Sequence, residues 1–125
     1  HVIGKEVESA LQEAIIGTNI RINEFTVAPQ ITPAQGLPYH EWFIEFENEP
    51  DDSVSFAEAL DNAMRKQNMY YDDLIVGRVL QKVVITKVVK NGFQDYMKSI
   101  GKLGGQNKIP RLSNDRKIVD LLKKE

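Results

Sequence analysis

The chain has 125 residues, a formal charge of −2 and an ordinary globular composition, 42% hydrophobic and 27% charged. That length suits one domain and is short for two, and so even a charge balance offers no global field to draw nucleic acid or an anionic membrane. The absence of cysteine removes disulfides, thiolate nucleophiles and zinc–thiolate sites together.

The first residue is His rather than Met, which points to a fragment or a processed product. Val7, Ala10, Leu11, Ala14 and Ile15 recur at helical spacing, which predicts a helix over 7–16 that Gly17 stops. Ile20 to Ala28, rich in β-branched residues, reads as a strand. Three prolines and a glycine make 29–38 a loop. Tyr39 to Glu47 is a second strand, with Trp42, Ile44 and Phe46 on one face and Phe43 and Glu45 on the other; it is a candidate to pair antiparallel with the first. Asp51, Asp52 and Ser53 are N-cap candidates for a helix carrying Phe56, Ala59, Leu60, Ala63 and Met64 to about Gln67. Residues 68–71 read as a break, 72–77 as a short helical turn, and 79–89 as a third strand. Asn91-Gly92 opens a helix with Phe93, Tyr96, Met97 and Ile100 on its apolar side. A loop over 101–111 follows, then a last helix capped by Ser113 and carrying Ile118, Val119, Leu121 and Leu122. The order α-β-β-α-β-α-loop-α predicts a small α/β (α+β) domain with a mixed sheet of about three strands covered by helices.

Known catalytic signatures for phosphate loops, nucleophile elbows, zinc proteases and calcium loops are absent. His1 and His40 lie far apart in sequence, so no metal site is expected. Glu45, Glu47, Glu49, Asp51 and Asp52 are better explained as solvated strand edge and helix caps than as an acid–base cluster, and Tyr70-Tyr71 and Asp72-Asp73 as turn and surface. The loop over 101–111 is different. It gathers Lys102, Lys108 and Arg111 around three glycines, with Gln106 and Asn107 as neutral donors. Glycine lets backbone approach a ligand, lysine brings a compact charge to phosphate, and arginine brings a planar fork. On composition alone, a solvent-facing connection accounts for the loop better.

Gly-Lys-Leu-Gly-Gly-Gln-Asn-Lys-Ile-Pro-Arg-Leu-Ser-Asn-Asp-Arg, residues 101–116, closely resembles the C-terminal signature of the auxin-responsive acyl acid amido synthetase family, a branch of the acyl-adenylate-forming, firefly luciferase-like superfamily. Tyr39 to Glu47 and Phe56 to Asp72 resemble the same family in register, and Ile3-Gly4-Lys5-Glu6-Val7 is similar to the turn that opens its mobile domain. The resemblance implies that residues 1–125 form a C-terminal lid domain whose large N-terminal partner domain is not in this sequence. It implies an ATP- and Mg2+-dependent ligase that activates a carboxylic acid as acyl-adenylate and transfers it to an amino acid amine. Most of the nucleotide site would lie in the N-terminal domain, so the chain alone is expected to be inactive. Lys108 takes the place of the family's catalytic lysine in Gln-x-Lys-x-Pro-Arg. Gln106 and Arg111 fall on the same motif, Gly104 and Gly105 are assigned to loop mobility, and Gly4 and Lys5 to the hinge region. A stand-alone, non-catalytic α/β binding module is the alternative. Neither nucleic acid nor membrane is an expected partner; no apolar run approaches the ~18 residues of a membrane span, and a cytoplasmic location is expected.

Overall fold

Alternation along two long strands sets the architecture. The computed structural model of the chain describes residues 1–102 and 108–125. Strand β1 (Arg21–Gln30) pairs antiparallel with β2 (Tyr39–Asn48), with Phe25 opposite Ile44 and Val27 opposite Trp42. Strand β3 (Val84–Lys87) joins the other edge of β2 in parallel, giving the order β1-β2-β3. A parallel neighbour needs a crossover, supplied here by helices α2 (Ser53–Gln67) and α3 (Met69–Val76). Helices α1 (Gly4–Ile15) and α4 (Gly92–Ser99) and a single 3-10 turn, Val119–Leu121, complete the described elements. The mixed three-stranded sheet covered by helices is the class the sequence predicts.

The sheet is covered on both faces. Phe25, Val27, Trp42 and Ile44 turn to one side and pack with Val7 and Leu11 of α1, Phe56, Leu60 and Met64 of α2, and Tyr71 of α3. Ala28 and Phe43 turn to the other and pack with Phe93 of α4, Ile109, Val119 and Leu122. The strand alternation of Trp42 and Ile44 against Phe43 is therefore as expected. Both edges of the sheet are extended by single bridges, Val27 to Leu112 and Val88 to Lys124.

Caps decide the helix ends. The Asp52 carboxylate accepts from the Val54 and Ser55 amides at the start of α2. Asn68 closes α2 and starts α3, its side chain accepting from the Tyr71 amide at 2.8 Å, so the expected break at 68–71 is already helical from Met69. The third strand is shorter than expected because the Val79 and Leu80 amides still bond back to the Leu74 carbonyl, and Gln81 is held by the Pro38 carbonyl. The expected last helix is one 3-10 turn. Asp115 accepts from the Lys117 amide in a local turn, and the final residues are drawn out along β3, where Val89 donates to the Lys123 carbonyl and Glu125 to that of Lys87. Too few residues remain between these anchors for a helix to nucleate.

Candidate functional site

The apolar positions of β1 run Ile22, then Phe25 and Val27, all on the α1–α2 side. The step of three breaks the alternation, and the register shifts between Ile22 and Glu24 accordingly. This is a β-bulge, and it carries Asn23 and Glu24 together to the α4 side. Beside them Glu45 is only 5% exposed, so it is not part of a solvated edge. Its carboxylate accepts from Asn23 Nδ2 (3.3 Å) and from the Asn91 and Phe93 amides (3.2 and 3.4 Å) at the start of α4. That end of the helix would attract an anion, and Glu45 already fills it. Asn91 adopts a left-handed φ of 66°, and Gly92 fits under Val88, where an added Cβ would lie 2.5 Å from Cγ1.

The chain returns to this corner at Lys108. Ile109 inserts into the α4-side core. The Pro110 carbonyl accepts from the Thr26 hydroxyl at 2.6 Å. The Arg111 carbonyl accepts from the Val27 amide (3.0 Å), and the Ser113 amide donates to the Val27 carbonyl (2.9 Å). Residues 109–113 thus lie as a strap along the free edge of β1. Exposed Lys108, just ahead of the strap, lines a cleft of ≈ 260 Å³ with Asn23, Glu24, Glu45, Asn91 and Gln94.

Arg111 faces away from this cleft toward the α1 side of the edge. Its guanidinium pairs with Glu24, donates to the Phe25 carbonyl (2.9 Å) and lies 4.3 Å from the Phe25 ring centroid. These bonds occupy the fork that the sequence offered to a phosphate or carboxylate. Gly4 and Lys5 are the first residues of α1 rather than a turn preceding it, and they line an open groove with Arg111, Leu112 and Asn114. A Cβ at Gly4 would stand 3.8 Å from that of Arg111, so the start of α1 lies against the strap. Gly104, Gly105 and Gln106 lie outside the described residues.

Both carboxylates of the cleft are engaged, Glu24 by Arg111 and Glu45 by the amides of α4. Lys108 takes part in no ion pair among the described residues. The corner therefore holds a presented cation and no paired acid and base. Nor does any group of three His, Asp or Glu side chains among the described residues gather to hold a metal ion. Tyr71, expected at the surface, is 1% exposed, and its hydroxyl donates to Asp61 Oδ1 at 2.5 Å. Burial and the Asp61 carboxylate push the Tyr71 phenol above its usual range. No described helix is long and apolar enough to cross a membrane.

Sequence reasoning overlooked Asn23, Thr26 and the burial of Glu45. The phase slip between Ile22 and Phe25 was the available signal for the bulge, and a hydroxyl between Phe25 and Val27 was the signal for Thr26.

Among solved structures, that of GH3.15 acyl acid amido synthetase superposes with a TM-score of 0.70 at 14% identity, over 94% of this chain and 23% of that one. A structure of AtGH3.15 acyl acid amido synthetase in complex with 2,4-DB superposes with a TM-score of 0.70 at 12% identity, over 93% of this chain and 22% of that one. Identities this low carry the fold alone, and this chain spans under a quarter of either protein. No curated protein sequence matches the chain. The GH3 family C-terminal domain model matches residues 5–117. That match spans both helical layers, the whole sheet and the Lys108 strap, and the chain belongs to the GH3 family as its C-terminal domain.

Proposed function

We propose that this chain is the mobile C-terminal domain of an ATP-dependent, AMP-forming acyl acid amido synthetase. In this reading the whole protein, cytoplasmic and completed by a large N-terminal domain, activates a carboxylic acid and transfers its acyl group to an amino acid amine. The observation that carries the reading is Lys108, an exposed cation held just ahead of an anchored strap while the carboxylates beside it are engaged elsewhere.

A substrate carboxylate oxygen forms a bond to the α-phosphorus of ATP as the bond to pyrophosphate breaks. Two anions approach one another, and charge accumulates on the phosphoryl oxygens. Lys108, delivered by closure of this domain, offsets that repulsion, and closure keeps water from the adenylate. The amine then bonds to the acyl carbon, AMP leaves and the amine releases its proton. Mg2+, needed to screen the phosphates, would be held outside the described residues, which offer it no carboxylate cluster. With most of the nucleotide site assigned to the N-terminal domain, the chain by itself is expected to be inactive.

The test is pyrophosphate release by the full-length protein, given ATP and pooled carboxylic acids, with and without Lys108→Ala. Release should fall about 100-fold or more in the variant, the scale expected when one transition-state charge partner is removed. Equal release by the two proteins would take the catalytic role from Lys108. No release by the wild type with any acid would favour the binding-module reading.

A further inference from the structure

We infer that Thr26 is a positioning residue whose hydroxyl, through the Pro110 carbonyl, fixes the backbone point from which Lys108 is presented. The inference rests on the reading of Lys108 given above.

Thr26 sits in the middle of β1 between Phe25 and Val27. Its side chain points to the α4 side, toward a cluster made of Ala28, Phe43, Phe93, Ile109, Val119 and Leu122. At 0% exposure a hydroxyl in such surroundings must be bonded, and a valine of nearly the same shape would fill the position without that requirement. The partner lies 84 residues away in sequence, at 2.6 Å. Proline has no N–H, so its carbonyl is the one polar backbone group through which residue 110 can be fastened to β1. The ladder bonds of the strap start at the Arg111 carbonyl and run toward Ser113. Among the described residues, the Ile109 side chain and the Thr26–Pro110 bond hold the stretch between that ladder and Lys108. Ile109 fixes depth without direction, and the hydroxyl adds the directional constraint.

The effect passes through Pro110 and not through substrate, so the readout must separate positioning from loss of fold. In the full-length protein, Thr26→Val and Thr26→Ser are compared with the wild type by amide hydrogen exchange over 108–113 and by pyrophosphate release. Thr26→Val should keep its melting midpoint while the strap amides exchange about five- to tenfold faster, the factor associated with one hydrogen bond. The kcat for pyrophosphate release should fall by a similar factor with KM for ATP little changed, and Thr26→Ser should restore both. Wild-type exchange over the strap in Thr26→Val overturns the inference, as does a loss spread evenly over β1, β2 and the strap, which marks general destabilisation. If the wild type releases no pyrophosphate, the adenylation reading falls, and the exchange data alone decide whether Thr26 holds the strap.

Discussion

Under α1, α2 and α3, the sheet buries Phe25, Trp42, Leu60 and Met64 in one apolar layer made by elements that are mostly near neighbours in sequence. The opposite face has fewer apolar groups and is closed by bonds between distant parts of the chain. Glu45 takes the amides of α4, Thr26 holds Pro110, Arg116 pairs with Glu41 at 2.9 Å, and Val89 donates to Lys123. Dispersion and burial are non-directional and give the first face its stability, whereas hydrogen bonds fix position and give the second face its geometry. Lys108 stands on the second face. Under the proposed function its backbone would have to arrive at one place on domain closure, and a layer of interchangeable aliphatic contacts would specify that place poorly.

The comparison breaks most sharply at Trp42. Fully buried and stacked 6.0 Å from Phe25, it is the largest buried side chain of the first layer. Trp42→Ala should lower the unfolding free energy by about 3–5 kcal/mol, a large fraction of the roughly 5–15 kcal/mol a domain of this size has in reserve. Urea denaturation followed by circular dichroism measures it, and a loss under about 1 kcal/mol would mean that this layer is not the stabilising one. Gly92→Ala probes the other face. Its added Cβ would meet Val88 Cγ1 at 2.5 Å, with the Lys123 carbonyl at 3.5 Å, so α4 or β3 must shift. The expected loss is about 1–3 kcal/mol, less than at Trp42 because the helix can move outward. An unchanged midpoint in the same denaturation series would show that α4 is not pinned by its turn.

Legibility in the sequence divided along the same line. Helix periodicity gave α1 and α2, and alternation in Tyr39 to Glu47 gave the two faces of β2, because each pattern repeats over several contiguous residues. Local caps were legible too, Asp52 among them. The sequence predicts a longer last helix than the 3-10 turn found, since the extended form of the final residues is imposed by Lys87 and Val89 of the β3 edge, more than thirty residues earlier in the chain. Tyr71 looked like surface for the same reason: its partner Asp61 lies on another helix, and the pattern around it is too short to reveal a buried face. A motif singles out Lys108 in the sequence, but the strap that follows it depends on Thr26 and Val27, which no pattern near residue 108 reports.

The smallest effect concerns pH and belongs to the first face. His40, at the start of β2, turns its ring toward Tyr71, with centroids 5.7 Å apart, and its buried Nδ1 has no partner among the described residues. Burial lowers its pKa from the ordinary 6.5, because the imidazolium would lose its hydration there. In the unfolded chain the ring regains the ordinary value, so just below pH 6.5 the unfolded state binds more protons than the folded one. Stability therefore falls as pH drops through this range, and the loss levels off once the folded-state ring also takes a proton. The Asp52 carboxyl, held below its ordinary value of 3.8 by the Ser55 hydroxyl and the Ser55 and Val54 amides, contributes a loss of the same sign, but its window opens only below that value. The two are separated by measuring urea midpoints from pH 7.5 to pH 5 for the wild type and for His40→Phe, which keeps an aromatic ring against Tyr71 and cannot titrate. The wild type should lose stability across that interval and the variant should hold nearly level. Parallel curves would assign the loss to other groups and leave His40 a packing residue only.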